Sequence, residues 1–347
     1  MSKKQVKDCN VCKKASVGGS ALIEGVMMQG PEGSAMCVRL PDGTIDTEML
    51  EVKHLKDKFK PAGWPIIRGI VNMVESMIFS YKCMEKSAEK AGLDDDSNPE
   101  QMSKLDKWIS DHFGPTMMAV ITGISLCLGL VLSFVLFMYL PSMVVDLMDK
   151  YIFNDVLQNI HPIFEGIMRI IIFICYIALV GLMPDIKRVF MYHGAEHKSI
   201  FCYENGLELT VENVKKQSRQ HPRCGTSFIF VVLVISIFLS SALVVIFPGI
   251  DSVRSVWMLI KLSIVPLTVG IGYEFIRYAG RHDNALVKAL SAPGLLMQKL
   301  TTKEPTDDII EVGIASLKAA LGMKDDEISQ EGKDVEKEEI NADTSED

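Results

Sequence analysis

Aromatic residues are scarce in this 347-residue chain, at 7%, and neither sign of charge dominates its body. The formal net charge is −8, but the stretch 324–347 alone holds 11 acidic and 3 basic residues. The remainder is therefore near neutral. The basic excess that a phosphate backbone requires is missing, so no nucleic-acid partner is expected. A secretory signal peptide is not expected either, because Cys9–Gly19 follows the basic start Met1–Lys7 without an apolar run. The 8 cysteines build no recognisable framework. Cys9-Asn10-Val11-Cys12 has no second C-x-x-C to complete a zinc knuckle and reads as a bare dithiol. No internal repeat is visible.

What the chain has is apolar residue in blocks. It is 48% hydrophobic with a mean hydropathy of +0.21, although 23% of residues are charged. Four blocks stand out, Pro115–Leu140, Ile163–Met183, Phe228–Pro248 and Ser255–Ile276. Each is near the roughly 20 residues that cross a hydrocarbon core. The alternative for each is a buried helix of a soluble protein. Lys187, Arg188, Lys198, Lys215, Lys216, Arg219 and Arg223 crowd the second loop, whereas the first and third hold little beyond Lys150 and Arg254. By the positive-inside rule the second loop and both termini are cytosolic, in a multi-pass protein of the cell membrane. Cys37, Cys83, Cys202 and Cys224 are then expected to be reduced, and Cys127 and Cys175 to pack within spans.

The expected fold is an α-helical polytopic membrane protein with four transmembrane helices. A small cytosolic α+β layer comes from its N- and C-terminal segments. The divisions are a basic flexible tail (1–16), an N-terminal α+β segment (17–113) and a transmembrane region (114–276) with a cytosolic motif loop (184–227). A C-terminal cytosolic segment (277–323) and an acidic disordered tail (324–347) follow. Glycines punctuate short strands over 17–53, and Pro41-Asp42-Gly43 reads as a turn between Met36–Leu40 and Thr44–Val52. Ile70, Met73, Val74, Met77 and Ile78 recur at helical spacing, and Met27, Met28, Met73 and Met77 read as core. Residues 94–99 read as a linker and 99–113 as a short helix. Asp185–Asn205 reads as helix with Gly206 as its stop, and Thr226 or Ser227 as the cap of span three. Span four, with Pro266, Gly270 and Gly272, is expected to kink. A last helix after Pro305-Thr306 carries Ile310, Ile314, Leu317 and Leu321 on one stripe, which needs a partner in the N-terminal layer.

The chemistry-bearing motif is His193-Gly194-Ala195-Glu196-His197. On a helix, His193 and His197 fall one turn apart on one face with Glu196 beside them. That is the arrangement of two imidazole ligands and a general base, in the inverted zinc-peptidase order H-x-x-E-H. Alone, such a motif is more often an exposed polar face. Its surroundings add His221 and Cys224 before span three, Glu274 in the last turn of span four, and His282 with Asp283 just beyond. The expected third ligand is Glu274, His221 or His282, with Cys224 a soft alternative that favours a structural site. Arg277 or Arg223 is placed to hold an oxyanion or phosphate. Plainer readings stand beside these: a headgroup-facing loop for 221–224, a salt bridge to Arg277 for Glu274, and a capping turn for 281–284. Of the remaining histidines, His161 falls outside and His54 and His112 have no motif around them. The glycine-dense 18–30 stretch with Glu24, together with Arg68-Gly69 and Glu75-Ser76, belongs either to the site or to a tightly packed strand pair on a helix.

Several of these stretches resemble the YqhQ family of bacterial membrane proteins, a domain of unknown function. The likeness rests on Gly-Gly-Ser-Ala-Leu-Ile-Glu-Gly-Val-Met-Met at 18–28 and Arg-Gly-Ile-Val-Asn-Met-Val-Glu-Ser at 68–76. It extends to Tyr-His-Gly-Ala-Glu-His-Lys at 192–198, His-Pro-Arg-Cys-Gly-Thr-Ser at 221–227 and the 277–297 stretch. What the resemblance implies is a multi-span, metal-dependent membrane protein.

The expected activity is hydrolysis at the cytosolic membrane interface by a divalent metal ion, zinc fitting best. The substrate would be a peptide, a lipid headgroup or another membrane-associated molecule. The alternative is a metal-stabilised scaffold or assembly factor. Transport ranks below both, because the blocks hold few charges beyond Lys261, Glu274 and end residues.

Overall fold

The computed structural model describes residues 17–51, 60–92, 115–154, 160–221, 224–279, 282 and 284–323. The expectations for 1–16 with Cys9 and Cys12, for His54, for 94–99, for 99–113 with His112, for Pro222 and Arg223, for Arg281 and Asp283, and for 324–347 lie outside the described residues.

Four strands open the described chain: β1 (Gly18–Leu22), β2 (Gly25–Gly30), β3 (Gly33–Arg39) and β4 (Ile45–Leu50). They form an antiparallel meander in the order β1-β2-β3-β4. Two-residue turns join the first three, since Leu22 pairs Gly25 and Gly30 pairs Gly33. The 41–43 turn falls where the sequence puts it. Asp42 accepts from the Thr44 amide at 2.9 Å, and Gly43 takes the left-handed φ of 88°.

Alternation along the strands gives the sheet two apolar faces. Val26, Met28, Ala35 and Cys37 share one buried cluster with Ile309, Ile310, Val312, Ile314 and Leu317 of the last helix, α10 (Asp307–Leu321). The stripe on that helix thus finds its partner in the N-terminal sheet, as expected. Ser316 of α10 also donates to the carbonyls of Val26 and Ala35 at 3.0 and 3.2 Å. The opposite face, with Leu22, Met27, Met36 and Val38, packs on Cys83, Phe79 and Met84 of α1 (Ile67–Lys90).

The predicted core stripe of α1 is only partly right. Val74, Met77, Ile78 and Tyr81 are exposed, because the faces that do pack are taken by the sheet and by span four. A Cβ on Gly69 would come within 2.7 Å of Tyr273 Cβ and 3.1 Å of Gly270 Cα, so Gly69 lets the two helices touch. Arg68 binds both oxygens of Glu274 beside that contact.

Four helical stretches are long and apolar enough to cross a membrane: Gly123–Phe153, α4 (His161–Val180), α7 (Gly225–Ile246) and α8 (Arg254–Ala279). The first runs past the expected end at Leu140. It consists of α2 (Pro115–Phe134), a π-helical turn Val135–Tyr139, α3 (Leu140–Met148) and a second π-helical turn Asp149–Phe153. Pro141, four residues after Phe137, cannot donate to the Phe137 carbonyl. The wider turn absorbs the proline, and that carbonyl accepts from Arg169 Nε at 2.8 Å instead. Many large apolar side chains on these helices are exposed, among them Leu128, Leu130, Leu132, Phe238 and Val245. Contiguous apolar surface of this kind needs a non-aqueous neighbour. Cys127 and Cys175 are exposed on it rather than packed between helices.

Charge inside these long apolar helices exceeds the sequence expectation. Glu165 accepts from Arg169 at 2.8 Å one helical turn away and from Lys261 of α8 at 2.5 Å. Glu165 and Lys261 are buried. In α8, Pro266 lies within a continuous helix, and Gly270 and Gly272 admit Ile66 and Val232. Gly69→Leu should lower the thermal unfolding midpoint in detergent, at a cost of about 1–3 kcal/mol from overpacking. Gly129→Ala, whose new Cβ meets nothing within 4 Å, should leave the midpoint unchanged.

Candidate metal centre

The histidine motif lies on α5 (Pro184–Glu204), which begins just after α4 and ends before Gly206, at φ 74°, with the short α6 (Val211–Lys215) following. Each letter of the motif has a separate neighbour. Gly194 faces the 301–305 segment, where a Cβ would strike the Lys303 carbonyl. That segment is tied down by Lys303, whose amide donates to Phe190 O at 2.8 Å. Ala195 is buried against α10, where Gly313 makes room for its carbonyl and for Ser199. His193 and His197 turn the other way, with ring centroids 4.4 Å apart.

The rings are held from behind. His193 Nδ1–H donates to the Thr301 carbonyl at 2.9 Å, and His197 Nδ1–H donates to the Arg219 carbonyl at 2.6 Å. A carbonyl only accepts, so in each neutral ring the lone pair resides on Nε2. His193 Nε2 lies 3.2 Å from Cys224 Sγ. His197 Nε2 is buried and has no hydrogen-bond partner. A buried polar atom left so costs about 1–3 kcal/mol. One ligand atom from each of His193, His197 and Cys224 lies within 4.8 Å of the others. Two imidazole nitrogens and a thiol, with backbone carbonyls fixing the tautomers, suit a borderline-soft divalent cation. The donor set therefore fits such an ion.

Cys224 is delivered by the start of α7. It is the residue preceding that helix and has extended backbone angles, so the expected cap at Thr226 or Ser227 lies two or three positions too late. His221 lies beside His197, with centroids 5.7 Å apart. Burial and the neighbouring His197 push its pKa down to about 4, so the ring is neutral and its Nε2–H donates to Glu204 at 3.3 Å. Helix α9 (Ala285–Thr301) clamps this loop. The buried Gln298 accepts from the His221 amide at 2.7 Å, donates to the His221 carbonyl at 2.8 Å and to Ser227 Oγ at 3.0 Å.

Glu196 is buried next to the ring pair, and its carboxylate accepts the Gly19 amide of β1. Burial raises its pKa to about 7, against the opposing pull of His193 and of that amide. A Cβ on Gly19 would lie 3.1 Å from the Glu196 carboxyl carbon, so the approach depends on glycine there. His193, Glu196, His197, His221 and Cys224 line one cavity of about 480 Å³, walled by β1, α1, α5 and the start of α7.

The remaining candidates lie elsewhere. Glu274 pairs with Arg68 rather than with Arg277, and neither Glu274 nor Arg277 lines the cavity. A carboxylate already bound bidentately by a guanidinium is not a free ligand. His282 is exposed, stacks on Tyr278 and donates from Nδ1 to the Tyr278 carbonyl at 3.0 Å. The capping reading of its neighbourhood holds, with the Asn284 side chain accepting from the Val287 amide at 2.9 Å. Glu24, in the turn between β1 and β2, binds Arg188 and accepts from Tyr192 at 3.1 Å, which fixes the sheet to α5. Ser76 lines the cavity, while Arg68 and Gly69 serve helix packing. Gln298 escaped the sequence reading, because it looked like an ordinary polar helix residue. Gly19 falls in the glycine-dense stretch read as belonging either to the site or to a packed strand pair, and its backbone does meet Glu196.

A family model described as "Protein of unknown function (DUF1385)" matches residues 64–323. "Uncharacterized protein YqhQ" of Bacillus subtilis (strain 168) is 34% identical over 312 residues, covering 88% of this chain and 92% of that protein. The chain belongs to the YqhQ (DUF1385) family. The matched span takes in α1, α5, the 221–227 loop and α10, and so every side chain proposed as a ligand. No solved structure matches.

Gln298→Leu should cost about 1–3 kcal/mol by leaving the His221 peptide unpaired in the interior. The check is the thermal unfolding midpoint of the purified protein, with an unshifted midpoint contradicting the clamp.

Proposed function

We propose that this chain is a multi-pass membrane protein with its N-terminal layer, second loop and C-terminal helices in the cytosol. We propose further that it is a metal-dependent hydrolase acting at that membrane face. Orientation rests on the lysines and arginines of the second loop. The observation that carries the metal is the pair of histidines whose Nδ1–H groups are committed to carbonyls. The Nε2 of His193 lies against the Cys224 thiol, and the buried Nε2 of His197 lacks any partner.

A divalent cation, zinc by the nature of the ligands, would be held by His193, His197 and Cys224. When bound it supplies Lewis acidity and lowers the pKa of water. Three protein ligands beside a cavity of about 480 Å³ leave room for water and substrate. Glu196, buried beside the ring pair, is placed to take a proton from water and return it to a leaving group. His221 stays neutral and closes one side of the site. Glu274, Arg277 and His282 have no part in it.

His193→Ala and His197→Ala should each strip the metal from detergent-purified protein, whereas Glu274→Gln and His282→Ala should keep it at wild-type stoichiometry. Elemental analysis decides, and full metal content in both imidazole variants would refute the centre. The second reading, a closed structural site in a scaffold, is favoured by the nearness of His221 to His197. A cobalt-substituted protein separates the two. An open site changes its visible spectrum when acetohydroxamate is added, and a closed one does not.

A further inference from the structure

Strand β1 is an edge strand, and the edge it leaves unpaired is a wall of the cavity. Its hydrogen-bonding pattern follows from the turn. A two-residue connection makes Leu22 and Gly25 a hydrogen-bonded pair, and the pattern alternates from there. Ser20 and Gly18 therefore bond inward to β2, while Ala21 and Gly19 direct their N–H and C=O groups outward. The Glu196 carboxylate, bound to the Gly19 amide, marks that outward direction. Left open are the Ala21 amide and the Gly19 carbonyl, while the Ala21 carbonyl accepts one long bond, 3.5 Å, from Ser20 Oγ and keeps a second lone pair.

Such an edge calls for cover. Here no fifth strand lies along it among the described residues; helix α5 packs on β1 instead, and Gly18 and Gly19 stay exposed beside it. The facing walls are Ser76, Phe79 and Ser80 of α1, with Thr226 and Ile229 of α7. Glu196 is the only acidic or basic carboxylate, amine or guanidinium group among the described lining residues. The cavity thus matches a neutral, extended chain of amides rather than a phosphorylated headgroup.

We infer that the substrate is an extended, uncharged stretch of polypeptide that adds to β1 as a further strand, with its scissile carbonyl level with Gly19 and Glu196. The inference rests on the hydrolytic reading above. Main-chain pairing to β1 supplies affinity and register, as in other strand-addition complexes. The oxygen of water adds to the peptide carbonyl carbon while Glu196 takes its proton. The C–N bond then breaks, the proton passes from Glu196 to the leaving nitrogen, and the products are a carboxylic acid and an amine, which exchange the second water proton to become carboxylate and ammonium.

The test uses the full chain, cobalt-substituted and in detergent, with four probes. These are acetohydroxamate, an uncharged tripeptide hydroxamate, the same tripeptide with N-methylated amides, and an alkyl hydroxamate of equal hydrophobicity. The tripeptide should bind at least about tenfold more tightly than acetohydroxamate, as two or three net hydrogen bonds allow. N-methylation should remove that gain. In Ala21→Pro, which deletes an outward amide at a position where an edge strand tolerates proline, the ratio of the two affinities should fall likewise. Equal binding of methylated and unmethylated tripeptides would overturn strand addition, whether or not the proline variant folds. So would a full gain from the alkyl probe, which points to lipid acyl chains instead. If acetohydroxamate leaves the cobalt spectrum unchanged, the hydrolytic reading falls by itself. The edge is then tested by amide exchange over residues 17–22 with the tripeptide amide. Protection keeps the pairing, and its absence removes it.

Discussion

Two backbone carbonyls decide what this site is able to do. Thr301 and Arg219 accept the Nδ1–H groups of His193 and His197, and so fix both tautomers and both ring orientations. Without those acceptors, two histidines one turn apart are a polar patch. With them, their Nε2 atoms stand together in a buried place where an unpartnered nitrogen is costly. The carbonyls are in turn held by neighbours. Thr301 ends α9, and Arg219 donates to the Thr302 carbonyl at 3.2 Å while its own carbonyl serves His197. The centre is thus a property of α5 together with the segments on either side of it, and no single element contains it.

That placement joins two bodies of structure. One is the sheet with α10 on one face and α1 on the other; the second is the set of long apolar helices. Among the described residues, contacts between them include α1 against α8 at Gly69, the Arg68–Glu274 pair and the Asn72–Tyr273 hydrogen bond, while Gln298 of α9 ties the 221 loop to Ser227 of α7. Cys224 immediately precedes α7, while His193 and His197 ride on a helix packed against the sheet layer. A shift of one body against the other changes the distance between thiol and imidazoles. Among the long helices, the Glu165–Arg169–Lys261 cluster sets a similar constraint. Removing one charge would leave the others buried and unpaired.

Much of this was legible in the sequence, and the failures share a cause. Hydropathy marked four long helices, and the stripe of Ile310, Ile314 and Leu317 demanded the sheet that covers it. The motif spacing put His193, Glu196 and His197 on one face, and the loop before span three supplied Cys224 and His221. Glu274 and His282 were drawn in because they lie at a similar depth. Depth follows from position along a span, whereas position around the bundle depends on packing between distant segments. Glu274 is claimed by Arg68, 206 residues away, which no local pattern announces. The extension of the first helix past Pro141 was hidden for a related reason. Its released carbonyl finds a donor on another helix, Arg169. The Gly19 backbone was legible only as one glycine of the dense 18–30 stretch, which did not say what it approaches.

X-ray absorption at the metal edge of the purified, detergent-solubilised protein tests the centre most directly. The expected spectrum contains two imidazole nitrogens at about 2.0–2.1 Å and one sulfur at about 2.3 Å, with the remaining scattering from a light atom. A protein that purifies without bound metal, or a metal whose neighbours include neither sulfur nor imidazole, would contradict a centre built from His193, His197 and Cys224.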